Sequence, residues 1–113
     1  MKSFCYFMTP EYRRTFWGKF IYIYQSSGTL ELGNTSLQYT SKRNNITLSK
    51  TDIKGIGIGR ISKFAKPLKL EYLIIQTATM EINFVPTNSA LTPVWVTNGI
   101  IGKWHNEIKL FMA

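Results

Sequence analysis

The sequence predicts a mainly β fold: a seven-stranded bent antiparallel barrel or sandwich, capped by a C-terminal amphipathic α-helix. Between residues 17 and 85, short segments of period-two hydrophobicity alternate with turn signals. After Val85 the hydrophobic period changes to that of a helix. The length of 113 residues, with 44% hydrophobic and 18% charged residues, indicates one folded domain with a single core.

Residues 1–16 are predicted to form an N-terminal extension. Thr9 is followed by Pro10 and Glu11, an order that is typical of a helix start, so we expect a short helix there. The apolar run before Thr9 is too short for a secretory signal. Cys5 is the only cysteine, which excludes an intrachain disulfide and favours a reducing, cytoplasmic location.

Residues 17–85 are predicted to form a β-meander. Its segments are rich in β-branched and aromatic residues, and glycine, asparagine, serine and lysine mark the turns between them. The predicted strands are Trp17–Tyr24, Thr29–Leu32, Ser36–Thr40, Ile46–Leu48, Ile53–Ile61, Leu68–Thr77 and Thr79–Val85.

Residues 97–111 are predicted to form the capping helix. Thr97 or Asn98 is suited to be its N-cap. The apolar residues at helical spacing are Ile100, Ile101, Trp104, Ile108 and Phe111. Such a helix needs an apolar surface to cover, and the open end of a bent sheet provides one.

Three alternating glycines, Gly55, Gly57 and Gly59, lie in one predicted strand. They do not form a phosphate loop, because no Gly-Lys-Ser/Thr follows and the dinucleotide-binding spacing is absent. On one face of a strand they leave a trough without side chains. We expect a bulky group such as Trp104 to pack into it.

Positive charge is concentrated in residues 42–69, which carry eight cations and one acid, Asp52, while the rest of the chain has six cations and five acids. The formal net charge is +8. This asymmetry predicts an anionic partner or surface. The predicted anion-binding residues are Lys42, Arg43, Arg60, Lys63, Lys66 and Lys69.

Three segments carry a resemblance to a known family: Gly28–Leu32 (GTLEL), Leu37–Ser41 (LQYTS) and Ile46–Ile53 (ITLSKTDI). With the order of seven strands and one helix, they resemble the pleckstrin-homology superfold, in particular its GRAM-type and bacterial members. The resemblance implies a binding module without catalysis, often an adaptor for membrane lipids or proteins. Lipid-binding members carry basic residues around their first two strands, where this chain has Lys19 but also Glu31.

The residue types of catalytic and metal sites occur without a recognisable pattern. His105 is the only histidine, and we expect it to be an ordinary helix residue. The carboxylates of Asp52, Glu71 and Glu81 have no spacing that pairs them for acid–base chemistry. We therefore predict neither an enzyme nor a metal or cofactor site.

The sequence thus favours a non-enzymatic bacterial binding module, cytoplasmic or peripheral to the membrane, that contacts an anionic membrane surface or an acidic protein. The alternative is a small basic β-barrel that binds single-stranded nucleic acid by phosphate contacts and base stacking. A small enzyme or ligand-holding barrel is a third interpretation and lacks a polar constellation. Self-association into a homo-oligomer also stays open.

Overall fold

A computed structural model describes residues 1–14, 25–61, 70–89 and 92–113. Its strands are β1 (Lys2–Met8), β2 (Ser26–Leu32), β3 (Ser36–Ser41), β4 (Asn45–Ser49), β5 (Gly55–Ile61), β6 (Leu70–Gln76) and β7 (Glu81–Thr87). The helices are α1 (Pro10–Arg14) and α2 (Val94–Met112), and a short 3-10 turn, Lys50–Asp52, joins β4 to β5.

The seven described strands form one antiparallel sheet in the order β4-β3-β2-β1-β7-β6-β5, which curls into a half-barrel. The predicted fold class, mainly β with seven antiparallel strands and one C-terminal helix, is confirmed. Helix α2 contacts β5, β6, β7 and the 3-10 turn. It therefore covers β5, β6 and β7 together with the 3-10 turn that links β4 to β5.

At the N-terminal end of the chain, the strands that form the sheet differ from the predicted ones. Lys2–Met8, which we expected in an extension, forms β1 and pairs with both β2 and β7. Cys5, Phe7 and Met8 on this strand are buried. Residues on both faces of this strand are buried. Its sequence therefore lacks the alternation of polar and apolar residues that is typical of a strand with one face in solvent. The predicted strand Trp17–Tyr24 lies outside the described residues.

The predicted short helix is confirmed as α1. The Oγ1 atom of Thr9 accepts a hydrogen bond from the backbone N–H of Tyr12 at 3.1 Å, which is the capping interaction expected of a threonine before Pro10. Tyr12 packs against the hydrophobic core. The cap and this contact fix a helix that is too short to be stable alone.

The core is built around three aromatic rings. The ring centroid of Phe7 is 5.4 Å from that of Tyr39 and 6.0 Å from that of Phe84, and those of Tyr39 and Phe84 are 5.3 Å apart. Each ring comes from a different strand, so the contacts tie β1, β3 and β7 together. From α2, Ile101, Trp104 and Ile108 are buried in the same cluster.

Helix α2 begins earlier than the sequence indicates, with Pro93 as its N-cap residue. The two predicted caps bond to the sheet instead. The hydroxyls of Thr97 and Thr87 are 2.8 Å apart, and the Oδ1 atom of Asn98 accepts a hydrogen bond from the backbone N–H of Glu71 at 3.0 Å. Their polar groups therefore anchor the first turns of α2 to β6 and β7.

At Gly59, the glycine trough of β5 is filled by a different residue from the one expected. A Cβ atom at Gly59 would collide with the ring of Tyr72, its cross-strand partner on β6. The tyrosine, not Trp104, therefore takes this space, as an aromatic ring does beside a strand glycine. At Gly57, a Cβ atom would meet no described heavy atom within 4 Å.

Candidate anion-binding cleft

A cleft of about 640 Å³ opens between α1 and the turn that joins β3 to β4. Its described lining residues are polar or basic, apart from the ring of one tyrosine. They are Tyr12, Gln25, Ser26, Ser27, Ser41, Lys42 and Arg43. Two cations and no acid belong to this described lining, so the cleft is suited to an anionic group.

The β3–β4 turn is held by Ser41, the last residue of β3. Its Oγ atom accepts hydrogen bonds from the backbone N–H groups of Arg43 at 3.3 Å and Asn44 at 2.9 Å. Its backbone N–H donates to the carbonyl oxygen of Asn44 at 2.9 Å. The backbone that carries Lys42 and Arg43 is therefore fixed, while both side chains remain exposed.

A second set of hydrogen bonds lies beside this turn. The hydroxyls of Ser26 and Tyr39 are 2.9 Å apart, and the Oγ atom of Ser26 donates to Oδ1 of Asn44 at 3.3 Å. Burial raises the pKa of the Tyr39 hydroxyl, and the hydrogen bond with Ser26 opposes that rise. The phenol thus stays protonated at neutral pH and holds the end of β2 against the turn.

Two of the predicted anion-binding residues line the cleft. Lys42 and Arg43 are adjacent in the cleft, whereas Arg60 is exposed on β5. In the strand order β5 is five steps from β3, or about 24 Å along the curved sheet. Lys63, Lys66 and Lys69 lie outside the described residues.

The other two cations of the basic stretch lie near the 3-10 turn. The Nζ atom of Lys50 is 5.7 Å from the centroid of the Phe111 ring on α2, a cation–π distance. Lys54 is exposed just before β5. Neither residue lines the cleft.

Sequence reasoning found the two cations of the cleft but missed its hydroxyl-bearing wall. Gln25, Ser26 and Ser27 carry no charge and lie between two predicted strands, so the sequence indicates only a turn there. The signal that was available is a serine at the end of β3 and a serine pair at the start of the neighbouring β2. The contribution of Tyr12 depends on where α1 packs and has no local sequence signal.

The candidate catalytic residues are dispersed. His105 is a half-buried residue of α2. Each carboxylate oxygen of Glu81 accepts an amide hydrogen bond at 3.0 Å, one from Gln76 and one from Asn83. Asp52 accepts hydrogen bonds from the backbone and side chain of Ser49. Within the described residues, no three histidine, cysteine or acidic side chains are grouped as metal ligands would be.

The chain matches no protein-family model, no curated protein and no solved structure. In the described parts of the chain, no helix has the length and apolar character needed to cross a membrane. The cleft and the charge distribution are therefore the features of the molecule that indicate a function.

Proposed function

We propose that this protein is a non-enzymatic binding module that holds an anionic group in the cleft beside the β3–β4 turn, and that its partner is an anionic membrane surface. The observation that carries the proposal is the pairing of Lys42 and Arg43 in a cleft with no described acidic lining residue. A cleft with this lining favours a phosphate or carboxylate group over a neutral or cationic one.

The geometry of the turn supports an interaction with a surface. Lys42 and Arg43 are exposed on a turn whose backbone is fixed by Ser41, so binding would not require this backbone to become ordered. A cation near an anionic membrane contributes about 1 kcal/mol, and salt screens that contribution. The hydroxyl of Ser27 is exposed on the same wall and can donate a hydrogen bond to an anionic group.

The sequence resemblance to pleckstrin-homology and GRAM-type domains supports the same proposal. The curled sheet with a C-terminal helix is compatible with that resemblance. On this proposal the protein is cytoplasmic and peripheral to the membrane. An acidic protein and a single-stranded nucleic acid are the other candidate partners, and the experiment must distinguish both of them from the membrane.

The test is co-sedimentation with vesicles of phosphatidylcholine alone and with vesicles that also contain phosphatidylserine. We expect binding only to the anionic vesicles. The double variant Lys42→Gln/Arg43→Gln should weaken that binding by about 30-fold at low salt, from two cations at about 1 kcal/mol each. Raised salt should reduce the difference between parent and variant.

The matched control is Lys103→Gln/Lys109→Gln, which removes two exposed lysines from α2 with the same change in net charge. Equal loss in both double variants would mean that only net charge matters, and the cleft would be excluded as the site. Polyglutamate and a single-stranded oligonucleotide are tested in parallel. If the protein binds either one, the Lys42→Gln/Arg43→Gln variant binds it more weakly, and vesicles do not bind, then the partner is of that class and is not a membrane.

A further inference from the structure

Strand β5 is an edge of the described sheet. It pairs with β6 along all seven of its residues, and no described strand pairs with its other side. It contains no proline, which would interrupt pairing. An edge of this kind presents backbone N–H and C=O groups to which another strand can bind.

Both faces of β5 are accessible near its centre. Ile58 is 38% exposed on one face. The neighbouring Gly57 points to the other face, where a Cβ atom would meet no described heavy atom within 4 Å. Its cross-strand partner Ile74 is only partly buried. An added strand would therefore find an unoccupied position beside Gly57 with an apolar neighbour.

The charges at the two ends of β5 are both positive. Lys54 precedes the strand, Arg60 is near its end, and both are exposed. Their even spacing of six residues places them on the same face by alternation. Asp52 is hydrogen-bonded to Ser49 and lies close enough to Lys54 for the lysine to help lower the pKa of its carboxyl group. Glu71 is the cross-strand partner of Arg60 but lies on β6, so a strand added to the other side of β5 would meet Arg60 and not Glu71. This charge arrangement favours an acidic partner strand and disfavours a second copy of the basic chain.

We propose that the β5 edge binds an extended acidic segment of a partner protein by β-strand addition. Acidic residues six positions apart would oppose Lys54 and Arg60, and an apolar residue midway between them would lie beside Gly57, on the opposite face. Backbone hydrogen bonds supply the affinity in this mode of recognition, and alternate side chains supply the specificity. The surface is separate from the cleft of Lys42 and Arg43, and the inference does not depend on the function proposed for it.

The test uses a fluorescent extended peptide that is as long as the segment from Lys54 to Arg60. It has glutamate at both ends, phenylalanine in the middle, and threonine and valine elsewhere. We expect saturable binding to the full chain, measured by anisotropy. The double variant Lys54→Glu/Arg60→Glu should weaken it by at least about tenfold, since like charges across an interface are unfavourable.

Two further changes test the strand geometry. Gly57→Val fills the unoccupied position with a residue that favours strands, so the variant should fold and bind the peptide more weakly. Alternate backbone N–H groups of the peptide point to its two opposite edges, so two peptides are N-methylated on one edge each. The peptide that is methylated on the edge facing β5 should lose binding, and the other should keep it. Circular dichroism of each variant checks that the sheet is intact.

Controls separate this surface from the cleft and from net charge. Lys42→Gln/Arg43→Gln should leave peptide binding unchanged, whatever it does to vesicle binding. Equal weakening by Lys103→Glu/Lys109→Glu would overturn the proposal, because the charge would then act without regard to position. Binding that both N-methylated peptides retain would also overturn it. So would a dimer, seen by sedimentation, that Gly57→Val breaks and the peptide does not displace.

Discussion

The two halves of the sheet differ in how many of their faces are buried. In β3, buried Leu37 and Tyr39 alternate with exposed Gln38 and Thr40. In β7, every residue from Ile82 to Thr87 is buried. The β2–β4 half therefore has one face in the core and one face in solvent, whereas β6 and β7 are largely enclosed on both.

We expect this difference in burial to separate the residues that affect binding from the residues that affect stability. The cleft with Lys42 and Arg43 is in the one-sided half, where an exposed face and the turns that border it can change without loss of core contacts. Helix α2 contacts β6 and β7, in the enclosed half, and buries Trp104. We expect substitutions in the enclosed half to affect the free energy of unfolding, and substitutions at the cleft to affect affinity.

The largest effect is expected at the interface of α2 with the sheet. Trp104 is 1% exposed, and its replacement by alanine should cost about 3–5 kcal/mol of unfolding free energy, because it removes a buried indole and leaves a cavity. Chemical denaturation measures this cost. Trp95→Ala is the matched control, since Trp95 is 66% exposed on the same helix and should change stability little. Similar costs for the two tryptophans would contradict the capping role of Trp104.

Pairs of adjacent residues test the comparison between the halves directly. In β7, Phe84→Ala should cost about 3–5 kcal/mol and Val85→Ala about 2 kcal/mol, because both side chains are buried although they point to opposite faces. In β3, Leu37→Ala should cost about 2–5 kcal/mol, whereas Gln38→Ala should stay within about 0.5 kcal/mol. Denaturation of the four variants measures these differences. A large cost at Gln38 or a negligible one at Val85 would remove the distinction.

The same difference explains which elements could be predicted from sequence. Strands β3 and β4 were placed within about a residue because their hydrophobic residues alternate with polar ones. The pattern predicts β7 two residues too early and does not predict β1 as a strand. Cys5, Phe7 and Met8 are buried although they do not all point to one face, so this segment has no period-two contrast between polar and apolar residues.

The candidate site was predictable only in its local part. Lys42 and Arg43 are adjacent in the chain, so sequence alone placed them together. Joining Tyr12 to Ser26 and Ser41 requires the strand order and the position of α1. Arg60 was predicted to bind the same kind of group, but it lies on β5 and does not line the cleft. The observed sheet places β5 at the opposite edge from β4.

At one position in the one-sided half, we expect a substitution to be destabilising in the way that substitutions in the enclosed half are. A Cβ atom at Gly28 of β2 would collide with the backbone carbonyl of Thr40 on β3, and the backbone cannot move aside as a flexible side chain can. Gly28→Ala should therefore cost about 1–3 kcal/mol, as overpacking does, measured as a fall in the denaturation midpoint. At Gly33 the nearest atom is 3.7 Å away, so Gly33→Ala is the control with ordinary contacts. If both variants unfold at the same midpoint, the close approach of β2 and β3 does not limit the residue at 28.

The smallest effect concerns the 3-10 turn that connects the two halves. The carboxylate of Asp52 accepts a hydrogen bond from the backbone N–H of Ser49 at 2.8 Å and another from its hydroxyl at 3.0 Å, and these bonds lower the pKa of Asp52 from 3.8. A lowered folded-state pKa means that this stabilisation is fully present above the unfolded-state pKa and is lost as the pH falls through the folded-state pKa. Asp52→Asn should therefore melt below the parent at neutral pH, and the difference should shrink as the pH falls below the unfolded-state pKa and through the lowered folded-state pKa. Melting curves of both proteins across this range measure it; a difference that stays constant to the lowest pH would mean that the charge of Asp52 does not stabilise the turn.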